Sequence, residues 1–445
     1  MSLYQLLGTG FSCECGKEHH VQTQRFVYQA DALKTLPNVL GELSQIPHLR
    51  ASAIIADIRT WPLAGPKILA ALRANNISTC RIIVPDNKNH SPVCDLNTAQ
   101  QLRQTVSAHR LDILIALGSG VINDLTKWTA FELKLPYVVI PTAASMNGYA
   151  AANVAATIDG VKVLIEAAPP LAVIAEPALI ENAPPEMTAA GFGDAIAKSQ
   201  STADWLMNNL LLDEYYCRYC AEIINELEPY YLGHPEDIRT AQGKAVEGLF
   251  SALFYSGIAM TLIGTSAPAS GGEHLLSHTL DMIAYRDKSG HNLHGIQVSL
   301  GTIFSAALYE KILQIETPNF VQIPQQPDSN FWKMPALIKA LSTQCLEKIP
   351  AMDMIRQKLA EPKNWQQFKN IVTPVTRHPQ EIKNALNCAG APTTAAKINC
   401  SPEYLKQAAL HMHQIRQRPT VVDLAWLLGI MPDAVDEIVD KWLTN

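Results

Sequence analysis

Three short stretches of this 445-residue chain carry side chains that could hold a divalent metal. His274 and His278 stand at positions i and i+4, so on a helix they share one face. Asp194 closes the segment Ala-Gly-Phe-Gly-Asp, and His294 precedes a long apolar helical pattern. One carboxylate with two imidazoles leaves positions open for water and substrate, which is typical of a catalytic metal site. By itself the histidine pair also fits chance spacing, and Asp194 also fits a helical ion pair with Lys198.

A glycine turn earlier in the chain could hold a phosphate. The apolar run Leu111–Leu117 predicts a buried strand that ends in Gly118-Ser119-Gly120. A helical pattern follows, and Tyr137–Ile140 predicts a second buried strand. Strand, glycine turn, helix and strand form the unit that places a phosphate at a helix N-terminus. Because the third glycine of the usual dinucleotide fingerprint is missing, the pattern also fits a plain tight turn.

The candidate residues lie in two regions with different predicted patterns of secondary structure. Up to residue 176, short apolar strands alternate with helical patterns, which predicts an α/β, Rossmann-like domain with a mostly parallel sheet over residues 1–176. Nearly every later segment has helical period, so residues 177–445 are predicted to form an all-α domain. We expect the active site in the cleft between these domains.

Composition excludes several classes of function. A hydrophobic content of 48% and a charged content of 17% indicate a packed globular protein rather than a disordered one. The net charge of -6 argues against a nucleic-acid or anionic-membrane partner. We expect no signal peptide and no transmembrane span. The odd count of nine cysteines without a secretion signal favours reduced thiols in a cytoplasm.

Two cysteine pairs could suggest small zinc sites. Cys13 and Cys15 have His19 and His20 nearby in the sequence, and the second pair is Cys217 with Cys220. Neither pair has a second pair of ligands at a useful spacing, so the sequence favours ordinary free thiols at both places.

The motifs around these residues follow one another as in a known superfamily. The chain resembles the metal-dependent polyol dehydrogenases, which include dehydroquinate synthase, in the glycine turn, Pro-Thr-Ala-Ala-Ser at 141–145, Ala-Gly-Phe-Gly-Asp at 190–194, Gly-Gly-Glu-His-x-x-x-His at 271–278 and Leu-His-Gly at 293–295. It is similar to the bacterial sn-glycerol-1-phosphate dehydrogenase branch in the Cys-x-Cys-Gly-Lys-x-His segment at 13–19 and the tail at 415–424. The resemblance implies a dehydroquinate synthase-like fold, NAD or NADP, one divalent metal (zinc, nickel or iron) and a homodimer.

The resemblance also implies roles for individual residues. Asp194, His274 and His294 would hold the metal, and His278, one helical turn from His274, would face the substrate and deliver a proton. Lys127 occupies the lysine position that follows the cofactor loop. The residues implied to bind the cofactor are Asp57, Gly118, Ser119, Gly120, Asp124, Thr142 and Ser145. A carboxylate at Asp57 would favour NAD over NADP, although an ordinary turn residue or N-cap fits this position equally well.

The implied reaction is reduction of dihydroxyacetone phosphate to sn-glycerol 1-phosphate. Lys198, Arg286 and Lys288 are candidates for holding the phosphate, and each also fits an ordinary solvated or paired charge. Asn147 departs from the family, which usually has Asp there; an amide can hydrogen-bond a substrate hydroxyl but cannot take a proton. The alternatives are a dehydrogenase of another polyol, a dehydroquinate synthase-like lyase, and a non-catalytic relative.

Overall fold

The computed structural model describes residues 3–46, 48–87, 91–241, 243–290 and 292–444. The chain forms two compact units. Unit 1 comprises residues 1–158, 163–191 and 222–265, and unit 2 comprises residues 159–162, 192–221 and 266–445. These units differ from two continuous halves because residues 222–265 pack with the first unit. The division into domains at residues 176 and 177 stays a prediction.

Unit 1 is built around a six-stranded parallel sheet. The strands of the chain are β1 Gly10–Ser12, β2 Glu18–His20, β3 Arg25–Tyr28, β4 Ala51–Ala56, β5 Ser78–Ile83, β6 Ile113–Leu117, β7 Tyr137–Ile140, β8 Asn153–Ile158, β9 Val161–Glu166 and β10 Ala172–Ala175. The sheet has the order β3-β10-β7-β6-β4-β5, and each adjacent pair runs parallel. The pairs β1–β2 and β8–β9 form two further small sheets.

The helices account for most of the remaining described chain. They are α1 Ala32–Gly41, α2 Trp61–Ala74, α3 Leu96–Ser107, α4 Gly120–Leu133, α5 Pro177–Glu181, α6 Pro185–Ile196, α7 Lys198–Leu212, α8 Arg218–Glu222, α9 Glu228–Tyr231, α10 Pro235–Arg239, α11 Gly243–Ile263, α12 Gly272–Asp287, α13 His294–Leu313, α14 Ser329–Trp332, α15 Pro335–Leu359, α16 Pro362–Val372, α17 Pro379–Cys388, α18 Pro402–His411, α19 Val421–Leu427 and α20 Ala434–Ile438. Short 3₁₀ turns cover Leu3–Leu6, Ala396–Ile398 and Met412–Gln414, and a π turn covers Val439–Leu443.

The carboxyl ends of the central strands mark the place where a ligand can bind in unit 1. All five residues of β6 are fully buried, as expected for an inner parallel strand with helices on both faces. Its neighbours are β4 and β7, and the carboxyl ends of parallel strands meet at one edge. Asp57, Gly118 and Pro141 follow these three strands, so the predicted cofactor segments begin at the same edge of the sheet.

Helix α11 packs within unit 1 through aromatic side chains. Phe26 of β3 stacks on Phe254 at a ring-centroid distance of 4.3 Å, and Phe250 lies 6.0 Å from the same ring. This helix has the length and composition of a membrane span, but 78% of its most apolar window is buried inside the fold. Core helices of soluble proteins can have the same length and composition, so this helix is only weak evidence for a membrane segment.

Several predicted elements have different limits in the structure. Helical periodicity predicts one helix from residue 185 to 208, which the structure interrupts at Ala197; it also predicts a helix over 213–227, where only Arg218–Glu222 is helical. Helical periodicity at 332–341 and 352–359 predicts two helices on either side of Pro350, whereas the structure has one continuous helix, α15. Strand β8 was not predicted; its apolar alternation is short.

Candidate metal and cofactor sites

Asp194, His274 and His294 of unit 2 converge on one point. Oδ1 of Asp194 lies 3.2 Å from Nε2 of His274 and 4.0 Å from Nε2 of His294. The two imidazole rings have centroids 5.1 Å apart. One ligand atom from each of the three residues lies within 4.8 Å of the others. The structure therefore brings together the three predicted metal ligands, from helices α6, α12 and α13.

Hydrogen bonds on the far side of each imidazole orient its Nε2 atom. Nδ1 of His274 lies 2.8 Å from Oε1 of Glu273, a carboxylate that only accepts, so Nδ1 carries the hydrogen. The hydroxyl of Ser277 donates to Oε1 of Gln297 at 2.8 Å, which leaves Ser277 to accept from Nδ1 of His294 at 3.0 Å. The Nε2 atoms of both imidazoles and a carboxylate oxygen of Asp194 then face one point. This donor set fits a divalent cation.

The surroundings shift the pKa values of the two imidazoles in opposite directions. Burial lowers the pKa of His294 to about 4, although the charge of Asp194 opposes the shift. Burial would also lower the pKa of His274, but hydrogen bonds to Asp194 and Glu273 outweigh it and raise that pKa to about 9. Without a metal, a proton on His274 therefore satisfies the buried carboxylates. A metal takes the place of this proton because only the deprotonated nitrogen is a ligand.

Close helix packing makes this convergence possible. A Cβ atom at Gly193 would lie 2.3 Å from the carbonyl oxygen of Gly295, so only glycine lets α6 approach the start of α13. Likewise, a Cβ at Gly301 would lie 2.0 Å from the carbonyl oxygen of Glu273, where α12 and α13 meet. The glycine next to Asp194 in the sequence motif thus serves packing.

Buried Asp204 fixes the N-termini of two helices. Its Oδ2 accepts from the backbone N–H of Gly272 at 2.7 Å, and its Oδ1 accepts from Val421 at 2.8 Å and from the hydroxyl of Tyr309 at 2.6 Å. Burial, together with the charge of Glu273, raises the pKa of Asp204 to about 7. Sequence reasoning gave Asp204 and Glu273 no role. For Glu273 the available signal was its place in the Gly-Gly-Glu-His motif at 271–274.

His278 lies beside the three predicted metal ligands, on the next turn of α12. Its ring centroid is 6.1 Å from that of His274 and 5.7 Å from that of His294. Burial, the charge of Arg416 and the two neighbouring imidazoles lower the pKa of His278 well below its usual value. The imidazole is therefore neutral at pH 7, a form that can accept a proton from an alcohol or relay one.

The glycine turn has the structure expected of a phosphate-binding loop. Gly118 and Ser119 connect β6 to α4, and a Cβ at Gly118 would lie 2.6 Å from Cβ of Ile122. No side chain among the described residues caps the N-terminus of this 14-residue helix. The first N–H groups of α4 are thus available to an anion.

Asp124 and Lys127 connect α4 to the segment that follows β7. The ammonium group of Lys127 is fully buried; it donates to the carbonyl oxygens of Gly148 and Asn153, both at 2.9 Å, and lies 3.2 Å from Oδ1 of Asp124. Oδ2 of Asp124 accepts from the N–H of Ala155 at 3.4 Å. These two charges position the loop, while a direct contact of Asp124 with the cofactor stays a prediction.

The Pro-Thr-Ala-Ala-Ser segment lies against the glycine turn. The N–H of Thr142 donates to the carbonyl oxygen of Gly118 at 3.4 Å, and a Cβ at Gly120 would lie 3.3 Å from Sδ of Met146. Ser145 is hydrogen-bonded to the hydroxyl of Tyr149 at 3.3 Å. Asn147, partly exposed, follows in the same loop. All predicted cofactor segments of unit 1 except that of Asp57 thus meet at one place.

Asp57 is a turn residue with a charged neighbour. Its Oδ1 accepts from the N–H groups of Arg59 at 2.7 Å and Thr60 at 2.8 Å, which is the turn or N-cap role given as the alternative. Nη2 of Arg59 lies 3.5 Å from Oδ2 of Asp57, and the same guanidinium forms a two-point ion pair with Asp86 at 2.6 and 3.0 Å. A ribose-binding role for Asp57 stays a prediction.

The three cations proposed to hold a phosphate make other contacts. Lys198 is buried and donates to the carbonyl oxygen of Pro268 at 3.2 Å. Arg286 pairs with Asp287 and donates to the carbonyl oxygen of Phe331, and Lys288 ends α12 in a left-handed conformation. The guanidinium of Arg286 is thus engaged by Asp287 and Phe331, and a contact of any of the three cations with a phosphate stays a prediction.

Arg416, in the tail of the chain, is a positive charge that lowers the pKa of His278. Its guanidinium donates to the hydroxyl of Ser270 at 3.0 Å and to the carbonyl oxygens of Ser270 and Gly271 at 3.3 and 3.4 Å. Burial and the charge of Arg418 lower its pKa to about 10, so Arg416 remains charged at pH 7. Sequence reasoning missed this residue because it lies far along the chain from the histidines.

The known proteins to which this chain is similar include dehydrogenases, in agreement with the geometry of the predicted metal site. Residues 27–184 match the family model described as "Iron-containing alcohol dehydrogenase". A glycerol-1-phosphate dehydrogenase [NAD(P)+] of Geobacillus stearothermophilus is 30% identical over 364 residues, which cover 81% of this chain and 88% of the relative. The Halalkalibacterium halodurans protein of the same name is 32% identical over 67% of this chain and 74% of its own length.

The chain belongs to the glycerol-1-phosphate dehydrogenase family. Membership confirms the predicted enzyme class, a nicotinamide- and metal-dependent dehydrogenase, and favours it over the lyase alternative. The fold is similar to that of glycerol dehydrogenase from Schizosaccharomyces pombe, with a TM-score of 0.59 and 16% identity over 94% of this chain and 90% of that one. The predicted dehydroquinate synthase-like fold is thus also confirmed.

Proposed function

We propose that this enzyme reduces dihydroxyacetone phosphate to sn-glycerol 1-phosphate with NADH or NADPH as the hydride donor. The observation that carries the proposal is the convergence of Asp194, His274 and His294 on one point, with both Nε2 atoms directed there. The family to which the chain belongs supports the substrate, because the relatives are named for glycerol 1-phosphate.

The three converging residues would hold one divalent metal. When bound, such a metal supplies Lewis-acid polarisation of the substrate carbonyl. A carboxylate with two imidazoles suits zinc, nickel or iron. The protein's contribution is a rigid donor set: Glu273 and Ser277 hold the two imidazoles from behind, so the ligands need little rearrangement to bind.

The uncapped N-terminus of α4 would receive the pyrophosphate of the cofactor. Gly118 and Gly120 leave room for its approach, and Thr142 and Ser145 line the adjacent loop. Asp57 and Arg59 offer opposite charges at the end of β4, the strand next to β6. A carboxylate accepts ribose hydroxyls and an arginine accommodates a 2′-phosphate, so this pair suits use of both NAD and NADP.

His278 would transfer the proton. Its lowered pKa keeps the imidazole neutral at pH 7. In the oxidation direction the neutral imidazole accepts the proton of the alcohol. In the reduction direction the same imidazole takes a proton from solvent and transfers it to the product oxygen. Asn147 cannot take this role because an amide does not titrate; it would hydrogen-bond a substrate hydroxyl.

Arg416 is a further candidate cation for attracting the substrate phosphate. Its positive charge acts on His278, and its guanidinium is already anchored to the segment that precedes α12. A planar guanidinium can bind two phosphate oxygens at once. We further propose a cytoplasmic homodimer, from the reduced-thiol composition and the family resemblance.

The test compares two carbonyl substrates in the same assay. The purified chain, loaded with zinc or nickel, is mixed with NADH or NADPH and with either dihydroxyacetone phosphate or dihydroxyacetone. The proposal expects cofactor oxidation with a kcat/KM at least about 100-fold higher for the phosphate ester, since each charge-assisted hydrogen bond to the phosphate contributes about 1.5–3 kcal/mol and about 1.4 kcal/mol corresponds to tenfold. Equal values would support a dehydrogenase of an unphosphorylated polyol, and Arg416→Gln would then leave KM unchanged.

A further inference from the structure

A small hairpin near the N-terminus presents three metal-binding side chains on one side. Strands β1 and β2 pair antiparallel, with Phe11 opposite His19 and Ser12 opposite Glu18. The connecting turn is closed by the N–H of Cys13, which donates to the carbonyl oxygen of Lys17 at 3.0 Å. This hairpin belongs to unit 1 and shares no residue with the site of Asp194, His274 and His294.

The turn brings His19 close to Cys15 and Cys13, which lie four and six positions before it in the sequence. Sγ of Cys15 lies 3.4 Å from Nε2 of His19. One ligand atom each of Cys13, Cys15 and His19 lies within 4.8 Å of the others. The turn depends on Gly16, whose φ is +84° and whose N–H donates to the carbonyl oxygen of Cys13 at 2.9 Å. The Cys-x-Cys-Gly-Lys-x-His spacing therefore has a structural result, the convergence of two thiols and one imidazole.

Burial follows the ligand positions along the hairpin. His19 is buried, at 3% exposure, and Cys13 and Cys15 are partly buried. The residues between them are exposed: Glu14, Gly16, Lys17 and Glu18. Such a short hairpin has little apolar core of its own: its partly or fully buried side chains are Phe11, the two thiols and the imidazole. A metal would supply the missing cross-link.

The distances agree with a tetrahedral zinc site. With Zn–S about 2.3 Å and Zn–N about 2.0–2.1 Å, ligand atoms in a tetrahedron are about 3.5–3.8 Å apart. The observed 3.4 Å between Cys15 and His19 is close to that range. A catalytic thiol–imidazole pair would need only one cysteine, so the second thiol of Cys13 favours metal binding.

We propose that the hairpin of residues 10–20 binds a structural zinc ion through Cys13, Cys15 and His19, in addition to the metal of the dehydrogenase site. Spacing alone favoured ordinary thiols here; the convergence of three donors changes that assessment. A structural zinc takes four ligands, so one more ligand completes the site. Single serine substitutions at the other seven cysteines identify it if it is a thiolate.

The test uses cobalt(II) in the full-length chain, because thiolate–cobalt coordination gives an intense near-ultraviolet charge-transfer absorption that nitrogen and oxygen ligands do not. The dehydrogenase site offers no thiolate among its three residues. We therefore expect the absorption in wild type and in His274→Ala, and its loss in Cys13→Ser/Cys15→Ser. The exposed thiol of Cys388 gives the matched control, Cys388→Ser, which keeps the absorption.

Metal counting provides a second readout that does not depend on activity. Wild type should hold two zinc equivalents per chain, and Cys13→Ser/Cys15→Ser should hold one. One equivalent in wild type, together with no charge-transfer absorption in His274→Ala, would overturn the proposal. This comparison needs no cysteine variant, so it decides even if the double variant does not fold. If the assignment of His274 is wrong, His274→Ala keeps both metals while the double cysteine variant still loses one.

Discussion

Oε1 of Glu273 lies 2.8 Å from Nδ1 of His274, the next residue in the chain. The same oxygen accepts from the N–H of Gly271 at 2.6 Å, so the carboxylate is fixed before any metal binds. It orients His274 so that Nε2 is directed to the predicted metal position beside Asp194. Glu273 is thus a positioning residue that acts through His274.

Removal of this carboxylate should weaken metal binding. Glu273→Ala is expected to lower metal affinity by about 10–100-fold, the usual cost of losing a partner behind a ligating imidazole. Glu273→Gln, whose amide oxygen can still accept from His274, should lose less. Competition with a chelator measures the affinity, and the exposed Glu316 supplies the control variant Glu316→Ala. Equal affinity in Glu273→Ala and wild type would refute the positioning role.

The three histidines should separate into two classes. His274→Ala and His294→Ala are expected to lose both metal and activity, because each removes one of three ligands. His278→Ala should retain a full metal equivalent and lose about 10²–10⁴-fold in kcat, the usual contribution of a proton-transfer group. Metal analysis and steady-state kinetics on the same preparations give the answer. Full metal content in His274→Ala would show that the ligand assignment is wrong.

Lys127 should be important for stability and for cofactor binding. Its buried ammonium holds Asp124 and two carbonyl oxygens, so Lys127→Met leaves a buried carboxylate without its partner. We expect a loss of about 3–5 kcal/mol in the free energy of unfolding and weaker NADH binding. Lys34→Met, at an exposed pair with Asp31, is the control and should show no measurable change. Urea denaturation and NADH fluorescence titration measure the two effects.

His413 should make the protein sensitive to acid. Burial and the charge of Lys348 lower the pKa of His413 to about 3, whereas the unfolded chain has its ordinary value. The unfolded state therefore takes up a proton as the pH falls below about 6.5, and the folded state does so only near pH 3. Stability is complete above pH 6.5 and is lost as the pH falls.

His413→Phe, which keeps ring packing on Trp426, isolates this contribution. Between pH 7 and pH 4 the variant should lose about 3 kcal/mol less stability than wild type, by about 1.4 kcal/mol per pH unit. The exposed His109 provides the control, His109→Phe, whose pH dependence should match wild type. Parallel curves for His413→Phe and wild type would contradict a buried neutral imidazole.

The sheet could be predicted from the sequence because its inner strands are continuous apolar runs. The apolar runs Ala51–Ala56 and Tyr137–Ile140 each predict a strand and agree with β4 and β7 to the residue. The helical region was harder. The segment 213–227 has helical spacing, but side-chain-to-backbone bonds hold its beginning: the indole of Trp205 donates to the carbonyl oxygen of Tyr215 at 2.8 Å. Such long-range contacts leave no periodic signal.

The functional residues, too, could be predicted only where the sequence itself carries the signal. Asp194, His274 and His294 could be found because metal ligands are chemically distinctive residue types in recognisable motifs. Glu273, Asp204 and Arg416 could not be assigned, since each acts by contacts that exist only after folding. The cysteine hairpin is similar: the spacing was visible, but the approach of His19 to Cys15 depends on the pairing of β1 and β2.

The most direct measurement is the identity of the product formed from dihydroxyacetone phosphate. Wild-type enzyme loaded with zinc or nickel is supplied with NADH, and the glycerol phosphate formed is resolved into its two enantiomers. We predict stoichiometric NADH oxidation and sn-glycerol 1-phosphate as the product, and neither in His274→Ala. Formation of the 3-phosphate enantiomer, or no NADH oxidation by enzyme that holds its metal, would contradict the proposed function and make Asn147 the next residue to examine.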